Sequence, residues 1–217
     1  MTQIPNPTII EREGLTERAW DVYSRLFKER IVYLGTPIND DVANLFVAQL
    51  LYLSGDDPDR DIQIYINSPG GDVAAGLVMY DVMQHVKADI TTICLNASSM
   101  ASVLLAAGTR GKRYILPNGE VMIHQGSGGF QGATPDMEIH MRRTLDLINR
   151  LIQILADHTG QPFEKVKRDS NRDYFMSAEE AVAYGIVDEI LPGHRGLFEA
   201  IGQVSPNGHV PNGRVHD

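Results

Sequence analysis

Hydrophobic residues recur at two periods along this chain, and the switches between them predict its elements. "ERAWDVYSRLFKER" (17–30) sets Trp20, Tyr23 and Phe27 on one helical face. "IVYLG" (31–35) reads as a short buried strand, and "NDDVANLFVAQLLYL" (39–53) returns to the helical period through Val42, Leu45, Phe46 and Leu53. "DIQIYIN" (61–67) predicts a strand that "NSPGGD" (67–72) breaks sharply. A helix over "VAAGLVMYDVMQHV" (73–86), a strand over "ITTIC" (90–94) and a short helix over "ASVLLAAG" (101–108) follow. "RYILP" (113–117) and "VMIH" (121–124) predict two strands separated by a turn at Asn118 and Gly119.

The last third carries one long pattern. Thr134 and Pro135 suit an N-cap and first turn, and Gly160 suits the stop of a helix running to about His158. Met137, Met141, Leu145, Ile148, Ile152 and Leu155 form its apolar stripe, which needs either the chain's own sheet or another subunit as partner. Ser177 and Glu180 spell a capping box ahead of "AVAYG" (181–185), and "IVDEIL" (186–191) predicts a final strand. From Pro206 onward the Pro/Gly/Asn-rich tail predicts disorder. Strands alternating with helices imply right-handed crossovers and a mainly parallel sheet, an α/β fold.

Composition narrows the partners. The chain has 217 residues, 43% of them hydrophobic, enough for one substantial core. A net charge of −9 argues against a nucleic-acid partner, and "RGKR" (110–113), the densest basic spot, reads as a solvated turn. The N-terminus lacks the features of a signal peptide, and no apolar run approaches the ~20 residues of a membrane span. A cytoplasmic protein with no membrane partner is expected. Cys94, in the apolar run "ITTIC", reads as a small buried hydrophobe.

Chemistry concentrates at the strand ends. "ASSMA" (97–101) has the small-x-Ser-x-small form of a nucleophile elbow, with Ser99 in the middle and backbone N–H groups of the following helix nearby. A serine needs a base. His124 ends a strand and enters the glycine-rich "GSGGFQG" (126–132), where side chains of a parallel sheet converge on a site. Taken alone it is equally a satisfied edge histidine. His85, His140 and His158 suit helix rims, whereas His194, His209 and His216 suit solvent. "KRDSNRDYF" (167–175) offers Asp169 and Asp173 as the orienting acid, and either can simply pair with neighbouring arginines. Gly70 and Gly71 can present N–H groups to an anion or merely form a tight turn. The cysteine count and the absence of a His-Glu-x-x-His spacing argue against a metal site, and "GSGGFQG" lacks the ending of a phosphate loop.

Taken together, "YINSPGG", "ASSM", "VMIHQ", "GGFQG" and "RDYFMSAEEAVAYGIVDEIL" resemble the Clp protease family of serine peptidases. "IIEREG" and "ERAWDVYSRLFKERIVYLG" extend the likeness to about residues 7–192. The resemblance implies that Ser99 is the nucleophile, His124 the general base and Asp173 the acid that orients it. It makes Gly71 and Met100 the donors of the oxyanion N–H groups. "CLNASSM" is one residue shorter than the family's junction, and Ala101 stands where glycine is common, which leaves Ser98 as a rival to Ser99. The separation from Ser99 to His124 matches the family.

The same resemblance implies a crotonase-like fold of repeated β-α-β units. Residues 1–18 would be an axial segment, 19–192 the peptidase domain with a protruding handle helix at about 134–159, and 193–217 a tail. The implied assembly is a tetradecamer of two stacked heptameric rings enclosing the active sites. Unfolded polypeptides would come from an ATP-dependent AAA+ unfoldase docked at Tyr65, Ile93, Leu95, Tyr114, Leu116 and Leu191. No cofactor is implied. Two other readings stay open: a non-catalytic ring subunit of the same family, and a crotonase-superfamily acyl-CoA enzyme that holds an oxyanion with similar N–H groups.

Overall fold

The computed structural model describes residues 7–13, 16–126 and 133–192. The expectations for the first six residues, for 127–132 of the glycine-rich stretch and for the tail from 193 lie outside the described residues. The first departure from the sequence pattern falls at Asp21. Its carboxylate accepts from the N–H groups of Tyr23 and Ser24 at 3.0 and 3.1 Å. That N-cap starts helix α1 at Val22–Lys28, five residues later than the apolar pattern suggests. Upstream, Thr8–Glu13 (β1) and Thr16–Asp21 (β2) pair antiparallel with Ile9 opposite Trp20. Trp20 therefore lies on a strand, with the Lys28 ammonium 5.3 Å from its ring centroid, instead of sharing a helix face with Tyr23 and Phe27.

The main sheet is built by repeated β-α-β steps. Ile31–Leu34 (β3), Ile62–Ser68 (β4), Ile90–Ser98 (β5) and Arg113–Ile123 (β6) lie side by side in chain order and run parallel. Asp40–Asp56 (α2), Val73–His85 (α3) and Met100–Ala106 (α4) make the crossovers. With strands in sequential order, right-handed crossovers put all three helices on one face. Accordingly α2 packs on α3 and α3 on α4. Alternation in β4 is strict: Ile62, Ile64 and Ile66 are buried, while Gln63 and Tyr65 are partly exposed on the other face.

Two irregularities shape the sheet. Between the pairs Ile66–Cys94 and Asn67–Asn96 the register shifts by the extra residue Leu95 on β5. Beyond that bulge β5 runs on to Ser98, well past the predicted "ITTIC". On the far side, Cys94 pairs with Ile115 but Asn96 with Glu120, so Leu116–Gly119 bulges out of β6. Both halves of β6 pair parallel to β5. The Asn118-Gly119 segment thus bulges from a single continuing strand and does not reverse it.

The remaining elements close the free edge of β6. Thr134–Thr159 (α5) is the 26-residue helix expected from its stripe, entered from Ala133 rather than capped by Thr134, and ended by Gly160 at φ 72°. Phe163–Asp169 (α6) follows, an element that the sequence pattern did not announce. Tyr174–Met176 (β7) pairs antiparallel with the end of β6. Ala178–Tyr184 (α7) starts with the expected Ser177/Glu180 capping box, and Glu189–Ile190 (β8) pairs parallel with the start of β6. The α5 stripe divides. Ile152 and Leu155 are buried in the chain's own core, whereas Met141 and Leu145 are 51% and 53% exposed. "RGKR" divides too: Arg110 is exposed, but Arg113 is 4% exposed and paired with Asp188.

Candidate active site

Parallel strands deliver their C-terminal ends to one edge of a sheet. Here β4 delivers Gly70 and Gly71, β5 delivers Ser99 and β6 delivers His124. Ser99 takes φ 56°, one of two positive values among the described non-glycine residues. The surroundings hold it there. Its N–H donates to Met122 O on β6 at 2.8 Å, and its carbonyl accepts from the N–H and hydroxyl of Ser102 at 3.0 and 2.6 Å. Backbone strain of this kind persists only where neighbours over-determine it, and it is how an elbow lifts a hydroxyl clear of the strand. The shortened junction before Ser99 is accommodated without loss of that turn.

His124 Nε2 lies 2.9 Å from Ser99 Oγ, and its Nδ1 lies 2.9 Å from Asp173 Oδ1. The hydrogen bond goes to Ser99; Ser98 ends β5 opposite Met122. Register explains the third member. Ile123 pairs with Tyr174, so one step further the antiparallel ladder brings His124 opposite Asp173. A bond from Gln125 N–H to Ser170 O at 2.6 Å ties the same two segments together. Asp169 is committed elsewhere: it accepts from Lys165 at 2.7 Å, Tyr184 OH at 3.2 Å and Arg168 at 3.3 Å. Burial opposes its charge, but Lys165 and the other two donors hold its pKa below the usual carboxylate range. Of the two aspartates left open by the sequence, Asp173 meets the histidine. Its carboxylate is 61% exposed, so the ion-pair part of that contact is screened by solvent in the single chain.

Two backbone donors stand beside Ser99. Ile38 takes Gly70 O with its N–H at 2.8 Å and gives its own carbonyl to Asp72 N–H at 2.9 Å. Gly71 N–H, between them, has no acceptor among the described residues. Met100 N–H opens α4, where no intrahelical acceptor exists. The glycines are required. A Cβ at Gly70 (φ 83°) would stand 2.5 Å from Ser98 O, and one at Gly71 (φ 151°) 2.2 Å from Ile38 O. Next to Gly71, a cleft of about 340 Å³ runs between the start of α3 and α5, lined by Val73, Ala74, His140, Arg143 and Ile148.

The six residues expected to dock a partner sit away from this edge. Tyr65, Ile93 and Tyr114 form one cross-strand row, extended on β3 by Tyr33. Ile93 and Leu191 are buried at 0% and 1%, while Tyr65, Leu95, Tyr114 and Leu116 are half-buried. Cys94 is fully buried, which pushes its thiol pKa up to about 12. Among the described residues no cluster of His, Cys, Asp and Glu is placed to hold a metal ion. No described helix is long and apolar enough to cross a membrane. Sequence reasoning missed Ser102 and the Met122 carbonyl, which pin the Ser99 turn, because nothing in a sequence marks a hydroxyl or carbonyl that serves a neighbour's backbone.

Fold and site define a class of protein: an α/β chain with a serine, an imidazole and a carboxylate in one hydrogen-bonded line. The family model described as Clp protease matches residues 14–194, and the chain belongs to that family, a family of peptidases.

Proposed function

We propose that this chain is the proteolytic subunit of a compartmentalised, ATP-partnered serine endopeptidase. The observation that carries the reading is the line Asp173–His124–Ser99, with both hydrogen bonds at 2.9 Å, on a serine held at φ 56°. In this reading Ser99 Oγ attacks the scissile carbonyl and His124 Nε2 takes its proton. Asp173 holds the imidazole with Nδ1–H toward itself and stabilises the imidazolium. Gly71 and Met100 N–H receive the oxyanion, and His124 returns the proton to the leaving amine. Water then repeats the sequence on the acyl-enzyme. These steps use the chain's own side chains and backbone together with the substrate and water.

The chain carries no phosphate loop, so energy to unfold a substrate has to come from a partner. An AAA+ unfoldase docked over the Tyr65, Ile93 and Tyr114 row, with Leu95, Leu116 and Leu191, fits that need. Two stacked heptameric rings in the cytoplasm, with α5 as the handle and residues 19–192 as the peptidase unit, complete the reading. Residues 1–18 then form the axial segment and 193–217 a tail. The test is labelling with a fluorophosphonate followed by peptide mass mapping. Label on Ser99, lost in Ser99→Ala and kept in Ser98→Ala, is the expected result. Activity of Ser99→Ala on a short peptide should fall by several orders of magnitude, about 10⁴-fold or more. Absence of label on the wild-type chain would leave a non-catalytic ring subunit.

A further inference from the structure

Gly76 stands at the fourth position of α3, where backbone geometry does not ask for glycine. Alanine there would favour the helix. The space beside it explains the choice. A Cβ on Gly76 would stand 2.2 Å from Met100 Cγ, 2.7 Å from Sδ and 2.9 Å from Cε. These approaches lie roughly 0.5–1.8 Å inside ordinary van der Waals contact. Met100 is 1% exposed, so its side chain can yield to a methyl there only by repacking against its neighbours.

The contact joins the two turns of the site. Gly71 lies five residues before Gly76, in the turn that enters α3, and Met100 is the residue after Ser99. Gly70 adds a second close approach between the same turns, since its Cβ would lie 2.8 Å from Met100 N and 2.9 Å from Ser99 Cβ. Gly70 and Gly71 are also demanded by positive φ. Gly76 is demanded by the Met100 side chain.

We infer that Gly76 is a positioning residue for the reaction. Its missing side chain lets the Met100 thioether lie flat against α3, and this contact sets the spacing between the Gly71 and Met100 N–H groups. A spacing error of about 1 Å at the reacting centre costs about 100-fold in rate. The inference rests on the reading of Ser99 as nucleophile, and that reading is checked first by fluorophosphonate labelling of the wild-type chain. Absence of label there marks failure of the catalytic reading itself.

Gly76→Ala in the full-length chain then decides the inference. On a short fluorogenic peptide kcat should fall about 100-fold while KM stays within about twofold. The Kd of a peptide boronate, which forms a tetrahedral adduct with the serine, should rise by a similar factor. The Kd of an unreactive peptide with the same side chains should hold. Gly76→Ala/Met100→Ala should recover most of the lost kcat, because the new methyl enters the space that the thioether leaves. Wild-type kcat in Gly76→Ala, equal losses for boronate and unreactive peptide, or no recovery in the double variant would each overturn the inference. If Gly76→Ala yields no folded protein, Met100→Ala decides by the same measurement: lower kcat at constant KM supports the inference, and unchanged kcat overturns it.

Discussion

At the scale of single residues, His158 reports on packing and takes no part in the proposed chemistry. Its Nε2 lies 3.1 Å from Tyr80 OH, and the two rings meet edge to face at 5.7 Å. Burial first, and then the charge of Arg113, push its pKa below the ordinary histidine value, against a smaller pull from Asp157. The unfolded chain therefore binds a proton at higher pH than the folded one. The stability that neutral His158 contributes is complete above the unfolded value of about 6.5 and is lost as pH falls toward the lower folded value. Thermal melts from pH 7 to pH 5 should show a steeper fall in Tm for the wild type than for His158→Gln. Parallel curves would mean that the pocket gives way to solvent before the ring is charged.

At the scale of elements, one guanidinium organises the ends of three helices. Arg113 Nη1 donates to Ala106 O, His158 O and Gly185 O at 3.3, 3.0 and 3.0 Å. These carbonyls lie at the C-terminal ends of α4, α5 and α7, where orphan acceptors and the negative end of the helix dipole favour a cation. Nη2 and Nε grip Asp188 at 2.5 and 2.9 Å. Burial works against that carboxylate, and the bonds from Arg113 and Gly111 N–H overcome it and hold its pKa low. Removing the cation leaves three carbonyls unpaired and a partly buried carboxylate with only the backbone N–H groups of Gly111 and residue 113 on its Oδ2, so Arg113→Leu should cost about 3–5 kcal/mol. Urea unfolding of the folded chain measures it. Arg113→Lys should lose much of the same stability, since an ammonium cannot span both Asp188 oxygens and three carbonyls. A loss under about 1 kcal/mol in Arg113→Leu would show that the helix ends find other donors.

At the scale of the whole molecule, the divided stripe of α5 separates folding from assembly. Its C-terminal half, with Ile152, Ile154 and Leu155, belongs to the chain's own core. Its N-terminal half leaves Ile139, Met141 and Leu145 exposed at 66%, 51% and 53%. Under the proposed ring-on-ring assembly these three form the contact between handles. Met141→Glu/Leu145→Glu should then leave the fold and far-UV circular dichroism intact while the protein sediments as a smaller species, because unpaired charge in an apolar contact is costly. Ile152→Glu should instead unfold the subunit. Unchanged sedimentation of the double glutamate variant would remove this half-helix from the assembly interface.

The pattern along the chain identified β3, β4, the first half of β5, the crossover helices and the long α5, and it read β6 as two strands. It also marked the serine turn and the strand-end histidine, since both sit where apolar runs stop. Pattern failed at Trp20, where an Asp21 N-cap outweighed the helical period, and at Asn118-Gly119, where a neighbouring strand kept the chain going through a turn signal. Asp169 and Asp173 are equal in sequence. Only the ladder between β6 and β7 puts the second beside His124 and leaves the first to Lys165 and Tyr184. Gly76 and Arg113 tell the same story, for neither has a local signal of its role. What a residue does to its own backbone can be read along the chain; what it leaves room for, or holds from another element, depends on contacts that exist only once the chain has folded.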